Sequence, residues 1–127
     1  MTRVLGVALV VLLSVAVGVG LAGCGCQKDI EAGTTGQIDV AKDAAAKADL
    51  MKIKTGVMSI IAETGQAPLT ATQESLGTFV NPWPTNPWTN APMAPGDAIG
   101  DYVYTPTSGV TFTLAAHLSD GSLYTAP

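Results

Sequence analysis

Nineteen consecutive residues, Val4 to Ala22, carry no charge, a run longer than most signal-peptide cores and just long enough to cross a bilayer as a helix. Arg3 precedes it and small residues close it, which is the layout of a secretory signal peptide. A run of about 20 apolar residues also spans a bilayer as a helix, so retention as a membrane anchor is the alternative fate. Either way, the rest of the chain is expected on the extracytoplasmic side.

The run ends in Leu21-Ala22-Gly23-Cys24, which resembles the bacterial lipobox. The resemblance implies that residues 1–23 are a lipoprotein signal peptide and that Cys24 is lipidated, carrying palmitate-type acyl chains. Cys26, the other cysteine, lacks such a context, because Gly23, Cys24 and Gly25 precede it. Cysteines at i and i+2 enclose too small a ring for an unstrained disulfide. A zinc site needs further ligands, and the chain has one histidine, far away. Cys26 is left with three roles: a second acylated thiol, an intermolecular partner, or none. Each buried methylene of an acyl chain contributes roughly 0.8 kcal/mol, so several chains on Cys24 would hold the domain firmly to membrane lipid.

Cleavage before Cys24 leaves about 104 of the 127 residues, enough for one small domain. Arg3 is the only arginine, so the mature chain keeps 5 lysines against 10 acidic side chains. Such a balance disfavours nucleic acid as a partner, because phosphate binding needs a basic surface. Residues 24–37 are short in apolar content and contain Gly33 and Gly36, which reads as a flexible tether. Residues 38–127 are left as the folded head.

Within the head, Asp39 to Thr64 reads as an amphipathic helix. Ala46, Leu50, Ile53, Val57, Ile60 and Ile61 recur at three- and four-residue steps, forming one apolar stripe. Lys52, Ser59 and Glu63 fall opposite, while Met51 and Met58 lie near the stripe's edge and read as packing residues. Asp39 and Asp43 sit at the expected N-terminal end, where negative charge suits the helix dipole. Gly65 and Pro68 end the helix. Gly56 costs about 1 kcal/mol relative to alanine; it falls toward the polar side and reads as merely tolerated.

Pro68 to Gly100 has no clear period. Five of the eight prolines lie in "NPWPTNPWTNAPMAP", which predicts a long ordered loop. Beyond it, Val110, Phe112, Leu114, Ala116 and Leu118 alternate with Thr111, Thr113, Ala115 and His117, the period of a strand with one covered face. "DYVYT" before it, "SLYT" after it, and the turn residues Pro106 to Gly109 and Ser119-Asp120-Gly121 between predict a three-stranded antiparallel meander. The expected fold is therefore α+β: one long helix packed on a small three-stranded antiparallel sheet, with the N-terminal apolar signal or anchor helix ahead of it.

Helix, proline-rich loop and small sheet, in that order, resemble the head of a type IV pilin or type II secretion pseudopilin. "AKDAAAKADLMKIKTGVMSIIAETGQAP" is similar to the exposed half of a pilin helix. "VNPWPTNPW" resembles the Pro-Trp segment before the family's sheet, and "GDYVYTPTSGVTFTLAAHLSDGSLY" resembles the sheet with its late Asp-Gly turn. The family's Gly-Phe-Thr-Leu-x-Glu processing motif is absent. The resemblance implies partners among pilin-like or secretion-system proteins. It also implies calcium, with Asp97, Asp101 and Asp120 as the oxygen donors such an ion requires.

Nothing in the sequence points to catalysis. His117 has no partner nearby in sequence and reads as a solvated strand residue, and neither Ser108 nor Ser119 lies in a nucleophile-elbow pattern. Trp83 and Trp88 are the binding candidates, since exposed indoles are platforms for sugars or protein partners. Their simpler role is packing, because a small domain needs every large side chain. The expectation is a lipid-anchored extracytoplasmic protein with a structural or interaction role near a secretion or pilus-type system. A pseudopilin retaining residues 4–22 as its membrane helix, and a glycan- or solute-binding lipoprotein using Trp83 and Trp88, are the alternatives.

Overall fold

The computed structural model describes residues 27–127, with side chains from residue 35 onward. The apolar run, Cys24 and Cys26 lie outside the described residues. One long helix, α1 (Gln27–Thr64), is followed by a one-turn helix, α2 (Gln73–Leu76), and a 3₁₀ turn (Gly77–Phe79). Three strands follow: β1 (Tyr102–Ser108), β2 (Thr111–His117) and β3 (Leu123–Thr125). They form one antiparallel sheet in the order β1-β2-β3, so the class is α+β with the expected meander. No described helix is long and apolar enough to cross a membrane.

The helix ends where the sequence says. Gly65 takes the left-handed conformation (φ 76°) and its N–H bonds to the Ile61 carbonyl at 2.7 Å, closing the last turn. Its start differs. α1 is already helical at Gln27, through the stretch 27–37 expected as part of a tether. Glycine lowers helix propensity by about 1 kcal/mol but keeps its N–H, and no proline interrupts the segment. Asp43 consequently lies in the middle of α1 rather than at its N-terminus. Its carboxylate accepts two hydrogen bonds from Ser119, one from the N–H (2.9 Å) and one from the hydroxyl (2.7 Å), tying α1 to the β2–β3 turn.

The predicted stripe faces the core. Ala46, Leu50, Ile53 and Val57 are fully buried, and Ile60 and Ile61 pack at its margin. They meet Tyr102, Leu114 and Ala116 from the sheet and Leu76, Val80 and Met93 from the intervening segment. Leu114 and Ala116 on β2 and Leu118 just after it are buried and Phe112 is half-buried, as the alternation requires; Val110, expected on the same face, precedes β2 and is exposed at the turn. Tyr104 and Phe112 stack at 5.7 Å between ring centroids. Pro106 lies inside β1 rather than in the turn. β1 is an edge strand, where a missing N–H is tolerated, and the register shifts between Pro106 and Ser108.

Two expectations about α1 are overturned. Met51 and Met58 do not pack; they are 37% and 50% exposed, on the side away from the sheet. Gly56 is buried, and a Cβ there would lie 2.2 Å from Val80 Cγ2. The glycine is the notch through which the chain after α2 crosses the helix. A bare α-carbon permits that approach.

Candidate functional site

The two Asn-Pro-Trp copies fold into different jobs. The Asn81–Pro82 peptide is cis, and Trp83 turns inward against the core, its Nε1–H donating to the Met93 carbonyl at 2.9 Å. The loop then doubles back: Thr85 bridges Pro92, Asn86 N–H donates to Ala91 O (2.8 Å), and Met93 N–H donates to Pro84 O (2.9 Å). Asn90 sits at the bend with φ 57°, a conformation asparagine tolerates.

Asn86 is the one polar residue fully buried among those described. Its Oδ1 accepts from the Trp88 N–H at 2.9 Å and, more weakly, from the Thr89 N–H at 3.4 Å. Its Nδ2 donates to the Ile99 carbonyl (3.0 Å) and to the Asp101 carboxylate (3.2 Å). A buried amide with both ends satisfied is a staple, and it holds the proline loop to the entrance of β1. Gly100 completes the fit, since its φ is 82° and a Cβ would lie 2.3 Å from Asn86 Oδ1.

The carboxylates expected to hold calcium are dispersed by this architecture. Asp101 receives the Asn86 amide, Asp97 is fully exposed, and Asp120 caps its own turn by accepting the Ser122 N–H at 2.9 Å. Hydrogen bonds from Ser122, side chain first and backbone second, hold the Asp120 carboxyl below the ordinary carboxylate value. Among the described residues, no three His, Cys, Asp or Glu side chains converge to hold a metal ion. In this structure the three aspartates serve a staple, a surface and a turn.

His117 is more enclosed than a solvated strand histidine. Its backbone is clamped by Gly100 N–H to its carbonyl (2.9 Å) and by its own N–H to Asp101 O (3.0 Å). Its Nε2 is buried without a hydrogen-bond partner among the described residues, and a carboxylate oxygen of Asp97 is 3.9 Å away, beyond hydrogen-bond range.

Two tyrosines anchor the segment after α1 under the sheet. The Tyr102 hydroxyl donates to the Ala71 carbonyl, and the Tyr104 hydroxyl to the Pro68 carbonyl at 2.7 Å. Burial, followed by the nearby Asp101 charge, pushes the Tyr102 phenol up to about 12. Burial raises Tyr104 as well. Both favour the neutral, hydrogen-bonding form.

Open clefts accompany this scaffold. One of about 290 Å³ lies between Ala67, Leu69 and the β1–β2 turn, and one of about 330 Å³ lies between Lys52, Thr55 and the Phe79–Pro82 segment. Neither is lined by Trp83, and neither by the half-buried Trp88. The Trp83 indole is committed to packing, so the structure does not bring the two tryptophans together as a binding platform.

What sequence reasoning missed is the outward side of α1. Val40, Met51 and Met58 are exposed there at 68%, 37% and 50%, and Ala44, Ala48 and Ala62 are exposed alongside them. The signal was present as a second set of uncharged residues at helical spacing, hidden by the stronger set beside it. No protein-family model matches the chain, and neither a curated protein nor a solved structure is detectably similar to it.

Proposed function

We propose that the chain is a membrane-anchored extracytoplasmic lipoprotein whose pilin-like head has a structural or protein-interaction role beside a secretion or type IV pilus-type system. The observation that carries this reading is the lipobox-like Leu21-Ala22-Gly23-Cys24, placed immediately ahead of a long helix that packs on a three-stranded sheet. Acylation of Cys24 would fix the head to membrane lipid at the N-terminal end of α1. The head would then stand off the surface, presenting helix and sheet to neighbouring proteins. An alkynyl-palmitate label tests the anchor: it is expected in the wild-type chain and absent from Cys24→Ala. Mass spectrometry showing an intact Met1 and an unmodified Cys24 overturns it.

A second reading is supported by one observation. α1 is helical from Gln27, only a few residues after the apolar run, which suits a pseudopilin that retains residues 4–22 as its membrane helix. The same mass measurement separates the two, since a retained run leaves the N-terminal peptide intact.

A further inference from the structure

We propose that the outward face of α1 is a docking surface for an acidic amphipathic helix of a partner protein. Positions 37, 41, 44, 48, 51, 55, 58 and 62 follow one another at alternating four- and three-residue steps, the spacing of a seam between two helices. None of them is charged, and all are exposed. Val40 widens the face on one side. Thr55 adds no free polar group, because its hydroxyl donates to the Met51 carbonyl of its own helix at 2.8 Å. From Val40 to Met58 the face is about 27 Å long at 1.5 Å per residue, five turns of a partner helix.

The residues along the seam select a helix over a lipid surface. Interfacial helices insert Trp, Phe or Leu into the acyl boundary. Here four of the eight seam positions are alanine, which lets helix backbones approach, and two are methionine, which adapts to whatever packs on it; Gln37 and Thr55 are the polar members.

Charge selects which helix. The shoulders of the seam carry Lys47, Lys52 and Lys54, and no acidic residue. The nearest acids on the same side, Asp49 and Glu63, lie a further step round the helix, where Asp49 accepts from Lys52 at 2.6 Å. The described part of the chain after α1 holds no lysine or arginine, so its basic groups are concentrated beside this face. A second copy would set lysine against lysine across the seam. Glutamates at the shoulders of a partner helix would instead pair with them. Lys47 now sits over the Tyr124 ring at 5.1 Å, which holds one of these charges in place.

The inference rests on the interaction role proposed above but not on the anchor, so loss of the Cys24 label would leave it standing. Its test uses the full chain in nanodiscs of phosphatidylcholine and two fluorescein-labelled synthetic helices. Both peptides carry the same Leu/Ala seam; one has glutamate at every shoulder position and the other lysine. The glutamate peptide is expected to bind saturably, and the lysine peptide at least about tenfold more weakly. Met51→Ser with Met58→Ser should weaken the glutamate peptide about tenfold, and Lys52→Glu with Lys54→Glu should reverse the preference. Equal binding of both peptides, or none of the glutamate peptide, overturns the proposal. Binding of the chain to phosphatidylglycerol vesicles that Met51→Ser and Met58→Ser abolish would reassign the face to the membrane. Sedimentation as a dimer that Met58→Ser dissociates would reassign it to a second copy.

Discussion

The two sides of α1 are made of similar material and meet different fates. Inward, Ala46, Leu50, Ile53 and Val57 are sealed by the sheet and the crossing segment; outward, Val40, Met51 and Met58 face solvent. Apolar periodicity therefore reports that a face can be covered, not that it is covered within the same chain. What separates the faces is the neighbouring chain. The inner face is met by a sheet whose own buried side needs a partner, and by a crossing segment admitted at Gly56. The outer face is bordered by the Phe79–Pro82 segment across a cleft beside Lys52 and Thr55, but Val40, Met51 and Met58 are left exposed among the described residues.

The largest expected effect comes from truncating the inner face. Leu50→Ala removes a fully buried side chain between α1 and the sheet, and should destabilise the head by about 2 to 5 kcal/mol. Urea unfolding followed by circular dichroism measures this. A loss under about 1 kcal/mol would mean the inner face is as loosely held as the outer one, and the contrast would fail.

Gly56→Leu sharpens the comparison because two principles give opposite signs. Leucine is a strong helix former, so if Gly56 faced solvent the change would stabilise by nearly 1 kcal/mol. At 2.2 Å from Val80 Cγ2 there is no room for a Cβ, and overpacking should cost about 1 to 3 kcal/mol. The β-branched Val80 has little rotameric freedom with which to yield. A raised unfolding midpoint in this variant would return Gly56 to the outer face.

That glycine also marks where the sequence stopped being legible. The sheet was readable because one face is covered, so alternation appears in Phe112, Leu114, Ala116 and Leu118. The end of α1 was readable because Gly65 and Pro68 act locally. Gly56 was not, since its neighbour Val80 is set by how the chain returns. Asp43 and Ser119 are 76 positions apart, and a pair at that separation leaves no local signature. Asn81 and Asn86 share the same following residues, yet only the second is buried and bonded at both ends of its amide. The start of α1 was misplaced because glycine is a weak penalty rather than a stop. The candidate surface was written in the sequence as Met51 and Met58, but the inner stripe had already claimed them as packing residues.

A smaller effect tests how the sheet is joined to the inner side of α1. Tyr102→Phe leaves the ring in place but removes the donor to the Ala71 carbonyl, at a cost of about 1.5 kcal/mol. The phenol also sets a pH window. Its folded value is raised to about 12 from the ordinary 10.0, so its contribution is fully present below 10.0 and is lost as pH rises toward 12. Wild-type stability should therefore fall more steeply over that interval than that of Tyr102→Phe. Parallel pH profiles for the two proteins would show that burial does not hold the Tyr102 phenol neutral in the folded state.

The smallest effect is expected on the outer face. Met51→Ser together with Met58→Ser removes two large apolar side chains, which in a core would cost several kcal/mol. Both are exposed and neither belongs to the core cluster, so the unfolding free energy should change by about 0.5 kcal/mol or less. Serine's lower helix propensity accounts for a shift of that size without any lost packing. A loss of 2 kcal/mol or so, the scale of a buried methionine, would mean that the head covers this face itself. The asymmetry between the two sides of α1 would then be false, and no partner helix would be needed. A neutral result leaves two exposed methionines beside three lysines at no cost to the fold, as a surface kept for another protein requires.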